Sequence, residues 1–264
     1  LGRLLSRAPR GDAPSLSSPA HHHKMFVLAE MQDTVRVAPG AFGKPTTDIV
    51  KAEVDAKYAA RVVNDVGLCV CCRDVLDVGD GLVYPLDGGA TYKATFSLLV
   101  FRPFVGEIAT ATIVASGPEG VRASLGFFED VNIPSKFLPT PAYYDKDSNI
   151  WTWRPDLGDD EDGGGGDDAC FHLDVGLELR FRVAAINFTR VSKHKRGLQA
   201  TTSTIEVPGA SAAAAPGNVR QRSSSVDLDA SAPLPSAMEI TGSINEDGLG
   251  PTTWWPDDEP MDET

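Results

Sequence analysis

Four cysteines, Cys69, Cys71, Cys72 and Cys170, are the side chains of this sequence best suited to bind a metal or act as nucleophiles. Tetrahedral zinc takes two ligand pairs, and the sequence offers no second pair at knuckle spacing. Cys69 and Cys71 alternate along an apparent strand and should share a face. Buried, reduced thiols of an intracellular protein are the better reading. Residues 156–168 gather Asp and Glu around a run of glycines, but a calcium loop needs alternating ligands that end in a distal Glu. Apart from His21, His22 and His23, the histidines are His172 and His194, and no Ser/His/Asp or phosphate-loop arrangement surrounds them. No catalytic residue, no metal ligand set and no cofactor is expected. One stretch does carry reactive chemistry. Arg220-Gln221-Arg222-Ser223-Ser224-Ser225 sets arginines just ahead of serines, which suits a basophilic kinase, and a phosphate there would reverse the local charge.

The elements that position these residues fall into two groups. Apolar content of 42% is enough for real cores, while Gly 25 and Pro 19 point to long loops. The net charge of −13 comes largely from residues 156–168 and 227–264, so a broad basic face of the kind that grips duplex DNA is excluded. Apolar runs are strand-sized, none near the ~18 residues of a membrane span, and no membrane contact is expected. Residues 1–24 hold Arg3, Arg7 and Arg10 against Asp12. They are read as a disordered tail, with the ordered pattern and the start of translation at Met25.

Residues 26–37 read as a strand. Thr46 or Thr47 caps a helix that Ile49, Val50, Val54, Tyr58 and Val62 carry through Val63. Strands follow at 68–76, 81–85 and 91–101. The result is a small sheet backed by one helix, ribonucleoprotein-like but without the aromatics such sheets use to stack bases. Val100-Phe101-Arg102-Pro103-Phe104-Val105-Gly106-Glu107 then joins it, with no flexible linker, to an all-β region. Strands at 107–116, 121–128, 131–134, 150–153 and 178–186 fit an OB barrel. The fold class is α+β. The expected domains are 25–103, then 104–191 interrupted by the acidic loop 156–168. A disordered insert over 192–237 follows, then a returning strand and tail over 238–255 that brings Trp254 and Trp255 back onto the barrel, and an acidic tail over 256–264.

With joint, barrel and tail in view, the chain resembles the larger stalk subunit of DNA-dependent RNA polymerases, a family shared by archaea and eukaryotes. Tyr92-Lys93-Ala94, the joint through Gly106-Glu107, and Met25-Phe26-Val27-Leu28 carry the likeness. Ser124-Leu125-Gly126-Phe127-Phe128 with Ile133-Pro134, Arg180-Phe181-Arg182-Val183, and Gly242-Ser243-Ile244 through Gly248-Leu249-Gly250 to Trp254-Trp255 resemble the RNA polymerase III version. The resemblance implies a nuclear, non-catalytic subunit serving synthesis of small RNAs such as tRNA and 5S rRNA. It implies an amino-terminal domain that docks on the RNA polymerase III core and forms a heterodimer with a smaller helical stalk subunit. Its OB domain would meet nascent single-stranded RNA and initiation factors. Asp87, Gly88, Gly89 and Ala90 fall where the family has its core-docking tip loop. Where such OB domains place a stacking aromatic after the turn glycine, this chain has Val121-Arg122. RNA binding is therefore expected to be weak, sequence-tolerant and salt-sensitive. The candidate contacts are Arg122, Lys136, Arg154, Arg182 and the cluster Lys193, His194, Lys195 and Arg196. The alternative is a free-standing OB-fold RNA-binding protein of translation or RNA processing; an enzyme is the weakest reading.

Overall fold

The computed structural model describes residues 25–83, 87–155, 170–194, 197–206, 220–228 and 234–255. Strict alternation of side chains over β1 (Phe26–Val37) turns Val35 and Val37 inward and leaves Phe26, Leu28 and Arg36 outside. A turn leads to α1 (Thr46–Tyr58), then β2 (Val62–Val63), β3 (Gly67–Val78), β4 (Leu82–Val83) and β5 (Ala90–Phe101). The sheet order is β1-β5-β3-β2, with β4 also on β5. β1 and β5 pair antiparallel along their whole length, from Phe26 opposite Phe101 to Val37 opposite Ala90. Ile49, Val50 and Val54 of α1 are buried, and the latter two share a core with Val35, Cys69, Cys72, Phe96, Leu98 and Val100.

The structure corrects three local expectations. The helix stops at Tyr58 instead of running to Val63, because Ala60 adopts φ 57° and the chain is taken over by β3. Ala60 N–H donates to Cys69 O (2.9 Å), and Cys69 N–H donates to Arg61 O (2.9 Å). Val62 and Val63, which continue the helical apolar spacing, instead pair with Leu68 and Gly67. The helix start also has Pro45 at its cap position and no side-chain cap, so neither threonine serves that role. Nor do Cys69 and Cys71 share a face. A bulge between them leaves Cys69 and Cys72 buried and Cys71 exposed. Burial, then the nearby Cys71 and Asp55, pushes the Cys69 thiol up to about 11. It therefore stays protonated and unreactive at neutral pH.

Asp33 ties α1 to the sheet. Its carboxylate accepts from Lys57 Nζ and from Tyr58 Oη (2.5 Å). Partial burial works against its charge, but the bonds from Lys57, Tyr58 and the Thr34 backbone N–H outweigh it and hold the pKa below the ordinary value. Burial, with Asp33 beside it, pushes Tyr58 up to about 12. An Asp33 pKa depressed by folding adds stability above its unfolded value near 4, and that contribution disappears as pH falls through the folded pKa. Asp33→Asn is expected to cost about 1–2 kcal/mol at pH 7. Urea titrations of both proteins should converge on acidification; a gap unchanged between pH 7 and pH 3 would refute the role given to this carboxylate.

The second domain begins with β6 (Ile108–Gly117), β7 (Gly120–Ser124) and β8 (Val131–Pro134). A small side sheet follows, of β9 (Ala142–Asp145), β10 (Ile150–Trp153) and β11 (Phe171–Leu173). The long β12 (Glu178–His194) leads to β13 (Gly197–Glu206), β14 (Arg220–Leu228), β15 (Met238–Ser243) and β16 (Gly250–Pro251). The barrel closes through β6, β7, β8, β15, β12 and back to β6. The parallel contact of β8 with β15 places Ile240 beside Val131. Alternate residues fill the barrel, among them Ile113, Val121, Ile133, Leu179, Phe181, Ile186 and Ile240. Gly242 lies where a Cβ would come within 2.7 Å of the Phe181 ring, so β15 approaches β12 closely only because the side chain is absent.

The expectation of disorder over 192–237 is also overturned for its described part. β12 runs to His194, β13 pairs with its outer half and β14 pairs with β13. Ser and Thr there are not solvated linker residues. They form cross-strand pairs, Thr189 with Thr202 (3.0 Å) and Thr201 with Ser225 (3.1 Å), which suit a two-sided polar sheet. The tails 1–24 and 256–264 and the acidic loop 156–168 lie outside the described residues.

The joint is short and stitched by hydrogen bonds. Arg102 N–H donates to Met25 O (2.7 Å), and Phe104 N–H donates to Glu107 Oε2 (2.9 Å). Gly106 N–H donates to Val183 O (2.7 Å) and Val183 N–H to Glu107 O (2.8 Å), so the turn is stitched directly to β12. Phe101, the last residue of β5, is buried in the barrel core. Its ring meets Phe127 edge-on (4.8 Å) and lies near Phe128 (5.5 Å) and Phe26 (5.6 Å). Met25, Val62 and Leu68 of the first domain pack against the same core. The two domains thus share side chains across the joint.

Candidate nucleic-acid interface

Cations bind an RNA backbone best when they line one groove, so their grouping decides the matter. Arg122 projects outward from β7, 3.8 Å from Asp130. Lys136 stands over the Phe137 ring (4.9 Å). Arg154 is exposed at the end of β10, and Lys193 near the far end of β12. Arg182 is turned to the joint, where it donates to Gly106 O (3.3 Å) and pairs with Glu246 (2.7 Å). At about 3.3 Å per residue, β12 alone separates Arg182 from Lys193 by about 36 Å. Arg182 and Lys193 are therefore not neighbours, and Arg182 is engaged in holding the joint. Lys195 and Arg196 lie outside the described residues, as does the side chain of His194.

A more compact surface lies on the side sheet. Cross-strand pairing sets Tyr143 of β9 opposite Thr152 of β10, and Thr152 opposite His172 of β11. Thr152 Oγ1 and His172 Nδ1 are 3.0 Å apart. Arg154, exposed, follows directly after β10, two residues beyond Thr152 in the chain. Tyr143 is 58% exposed. The opposite side is anchored. Trp151 is buried, its Nε1–H donating to Gly117 O (2.8 Å). Trp153, Phe171 and Trp254 pack together, centroids 5.2–5.4 Å apart. Trp254 is thereby folded back onto the barrel, while Trp255 Nε1–H donates to Leu249 O (2.9 Å).

This row combines a phenol that can stack on a base, an imidazole and a guanidinium for phosphate. Stacking contributes about 1–3 kcal/mol per base without regard to sequence. Beside Gly120 there is no aromatic: Val121 is fully buried and Arg122 exposed. Asp145, which continues the Tyr143 side of β9, is held below the ordinary carboxylate range by Ser148 Oγ and the Asp147 N–H, and its charge limits phosphate attraction. Sequence reasoning missed Tyr143 and His172, because β9 and β11 are too short to show periodicity. The available signal was alternation around large aromatics in Tyr143-Tyr144, Trp151-Thr152-Trp153 and Phe171-His172-Leu173.

Comparison with known proteins fits both domains. The family model described as RNA polymerase III subunit Rpc25 matches residues 107–255, more than half of the chain. The chain belongs to this family. The model of the SHS2 domain found in N terminus of Rpb7p/Rpc25p/MJ0397 matches residues 32–88. DNA-directed RNA polymerase III subunit RPC8 of Bos taurus is 35% identical over 88% of this chain and 98% of its own length. Its counterpart in Schizosaccharomyces pombe is 31% identical over 88% of this chain and 100% of its own. DNA-directed RNA polymerase subunit Rpo7 of Saccharolobus solfataricus is 26% identical over 46% of this chain and 67% of its own.

Within the SHS2 domain, the loop before β5 is closed onto β1. Asp87 accepts from both Arg36 Nε (2.8 Å) and an Arg36 terminal nitrogen, and that bidentate contact holds its carboxyl below the usual range. Gly88 has φ +67°, and a Cβ on Gly89 would sit 3.0 Å from Val37 O. Ala90 pairs with Val37 and Val83. Asp87, Gly88, Gly89 and Ala90 are therefore held in place, with Asp87 and Gly88 exposed and Gly89 and Ala90 buried.

Proposed function

We propose that the chain is the larger, non-catalytic stalk subunit of nuclear RNA polymerase III. The SHS2 domain seats on the polymerase core through the Asp87–Ala90 loop, and the OB barrel is held outward at a set angle. The observation that carries this reading is the shared core at Phe101 between an SHS2 domain and an OB barrel, in a chain of the Rpc25 family. A smaller helical partner finds an apolar surface on the sheet face opposite α1. There Leu28 (50% exposed), Leu99 and Cys71 form a row beside Phe26 and Phe127.

Affinity purification of the tagged chain tests this. The expected result is co-recovery of RNA polymerase III large subunits together with a small helical subunit, and their absence would overturn the reading. Replacing residues 87–90 with a neutral linker is expected to lose the core subunits and keep the small partner. Core recovery at the wild-type level would remove the loop from the interface.

RNA contact is assigned to the Tyr143, Thr152, His172 and Arg154 row, reinforced by the other candidate cations. Binding of a single-stranded oligonucleotide should weaken steeply from 50 to 200 mM salt. Tyr143→Ala should lower affinity about 5- to 150-fold at fixed salt while leaving the salt slope intact. Arg154→Ala should reduce the slope. Unchanged affinity in Tyr143→Ala would move the site elsewhere.

A further inference from the structure

The outermost strand of the hairpin, β14, serves neither core: residues 221–227 are all exposed. It is held by main-chain pairing to β13, by the Gln221 bond to Ser203 Oγ (2.8 Å) and by exposed polar contacts, including the Arg222 pair with Glu206 (3.1 Å). Exposed pairs of that kind contribute little. An edge strand whose described side chains are all exposed opens locally at low cost and is already extended, the conformation in which a protein kinase takes its substrate.

Ser225 has Arg222 three residues before it, Arg220 five before it and apolar Val226 directly after it. Guanidinium groups at those offsets suit the acidic substrate groove of an arginine-directed kinase. We propose that Ser225 is a phosphorylation site for such a kinase, and that Arg190 receives the phosphate. Ser225 Oγ attacks the γ-phosphorus of a nucleoside triphosphate supplied with the kinase, and the bond from that phosphorus to the β-phosphate bridging oxygen breaks. The hydroxyl proton passes to the kinase's base, leaving phosphoserine and a nucleoside diphosphate.

The receiving geometry is set by register. Arg190 pairs with Thr201, and Thr201 pairs with Ser225. Thr201 Oγ1 and Ser225 Oγ lie 3.1 Å apart, so both point to one side of the hairpin. Thr189 meets Thr202 on the other side (3.0 Å), which puts Arg190 on the Ser225 side by alternation. Two strand spacings, about 10 Å between α-carbons, are within the joint reach of an arginine and a phosphoserine. Arg190 is exposed and makes no ion pair among the described residues. Asp227, next on the same side of β14, would repel the phosphate and direct it toward Arg190. The modified strand is thereby drawn across β13 toward β12. Because Gln221 of β14 already reaches Asp65 of the first domain (3.2 Å), the phosphate stiffens a strut between the domains.

The test is incubation of the full chain with an arginine-directed kinase and labelled ATP, followed by peptide mapping and hydrogen exchange. Phosphate is expected at Ser225. Incorporation should fall at least tenfold in Ser225→Ala, fall severalfold in Arg222→Ala and persist in Ser225→Thr. Amide exchange over 197–206 and 220–228 should slow on phosphorylation of wild type, and this slowing should vanish in Arg190→Ala, which still accepts phosphate. Failure to label the chain while a free peptide of residues 218–228 is labelled, or labelling undiminished by Ser225→Ala, would overturn the site. Equal protection in phosphorylated wild type and phosphorylated Arg190→Ala would overturn the role of Arg190.

Discussion

Phe101→Ala is expected to destabilise the chain by about 3–5 kcal/mol, the usual cost of deleting a fully buried phenylalanine. Its effect should extend beyond one domain. Phe101 ends β5, where it pairs with both Phe26 and Leu68, yet its ring fills the barrel core against Phe127 and Phe128. Removing it empties space where both sheets press on one side chain. Thermal unfolding of the wild type should show the two domains melting together. The variant should melt earlier and in separable steps, and fluorescence change from the barrel tryptophans should precede loss of far-UV signal. A single transition shifted by less than about 1 °C would mean that the joint tolerates the loss, and that the domains are not coupled through this ring.

Gly120→Ala is expected to be comparably severe for a different reason. Gly120 opens β7 with φ +143°, a region that L-residues rarely enter. A Cβ there would lie 2.1 Å from Ile133 O and 2.8 Å from Pro134 Cα. Both are backbone atoms of β8, so no rotamer change relieves the clash. Backbone strain and separation of β7 from β8 together should cost at least about 3 kcal/mol, enough to leave much of a marginally stable domain unfolded. Gly117→Ala, three residues away with nothing within 4 Å of its Cβ, is the matched control and should change stability by less than about 1 kcal/mol. Similar urea midpoints for the two variants would contradict the steric argument.

The same residues show why part of the fold is legible in the sequence and part is not. Long β-prone runs, such as 26–37 and 91–101, announce strands because one face is at least half-buried along its length. Val62 and Val63 mislead because they continue a helical spacing by coincidence, and only the long-range claim of β3 on Ala60 ends the helix. Cys71 misleads because alternation assumes an unbroken pleat, and a bulge resets the count. The Ser/Thr-rich hairpin reads as disorder because both its sides are polar, so hydrophobic patterning says nothing about it.

The candidate site is less legible still. Cationic residue types show that phosphate contact is possible, but not whether the cations meet, and β12 sets Arg182 and Lys193 far apart. Tyr143 and His172 belong to strands of only four and three residues, and they become neighbours through β10. Arg182 reads as an RNA contact because its partner, Glu246, is distant in sequence. The joint is readable because Pro103 and the flanking apolar runs lie next to one another.

The parallel seam between β8 and β15 has a consequence for synthesis. The first domain has all its described strands once Phe101 has emerged, whereas the barrel has its last wall only after Ser243. Chains fold as they leave the ribosome, amino end first. For the interval between, a finished anchor is tethered to an open sheet whose β8 and β12 edges lack their neighbour. During that interval the growing β13–β14 pair covers only the opposite edge of β12 and leaves the edge that β15 must occupy bare. Protection of the half-built barrel by a chaperone or by an assembling partner is therefore most valuable before residue 243 appears, and a ribosome paused within 197–237 would hold the protein at its most aggregation-prone length.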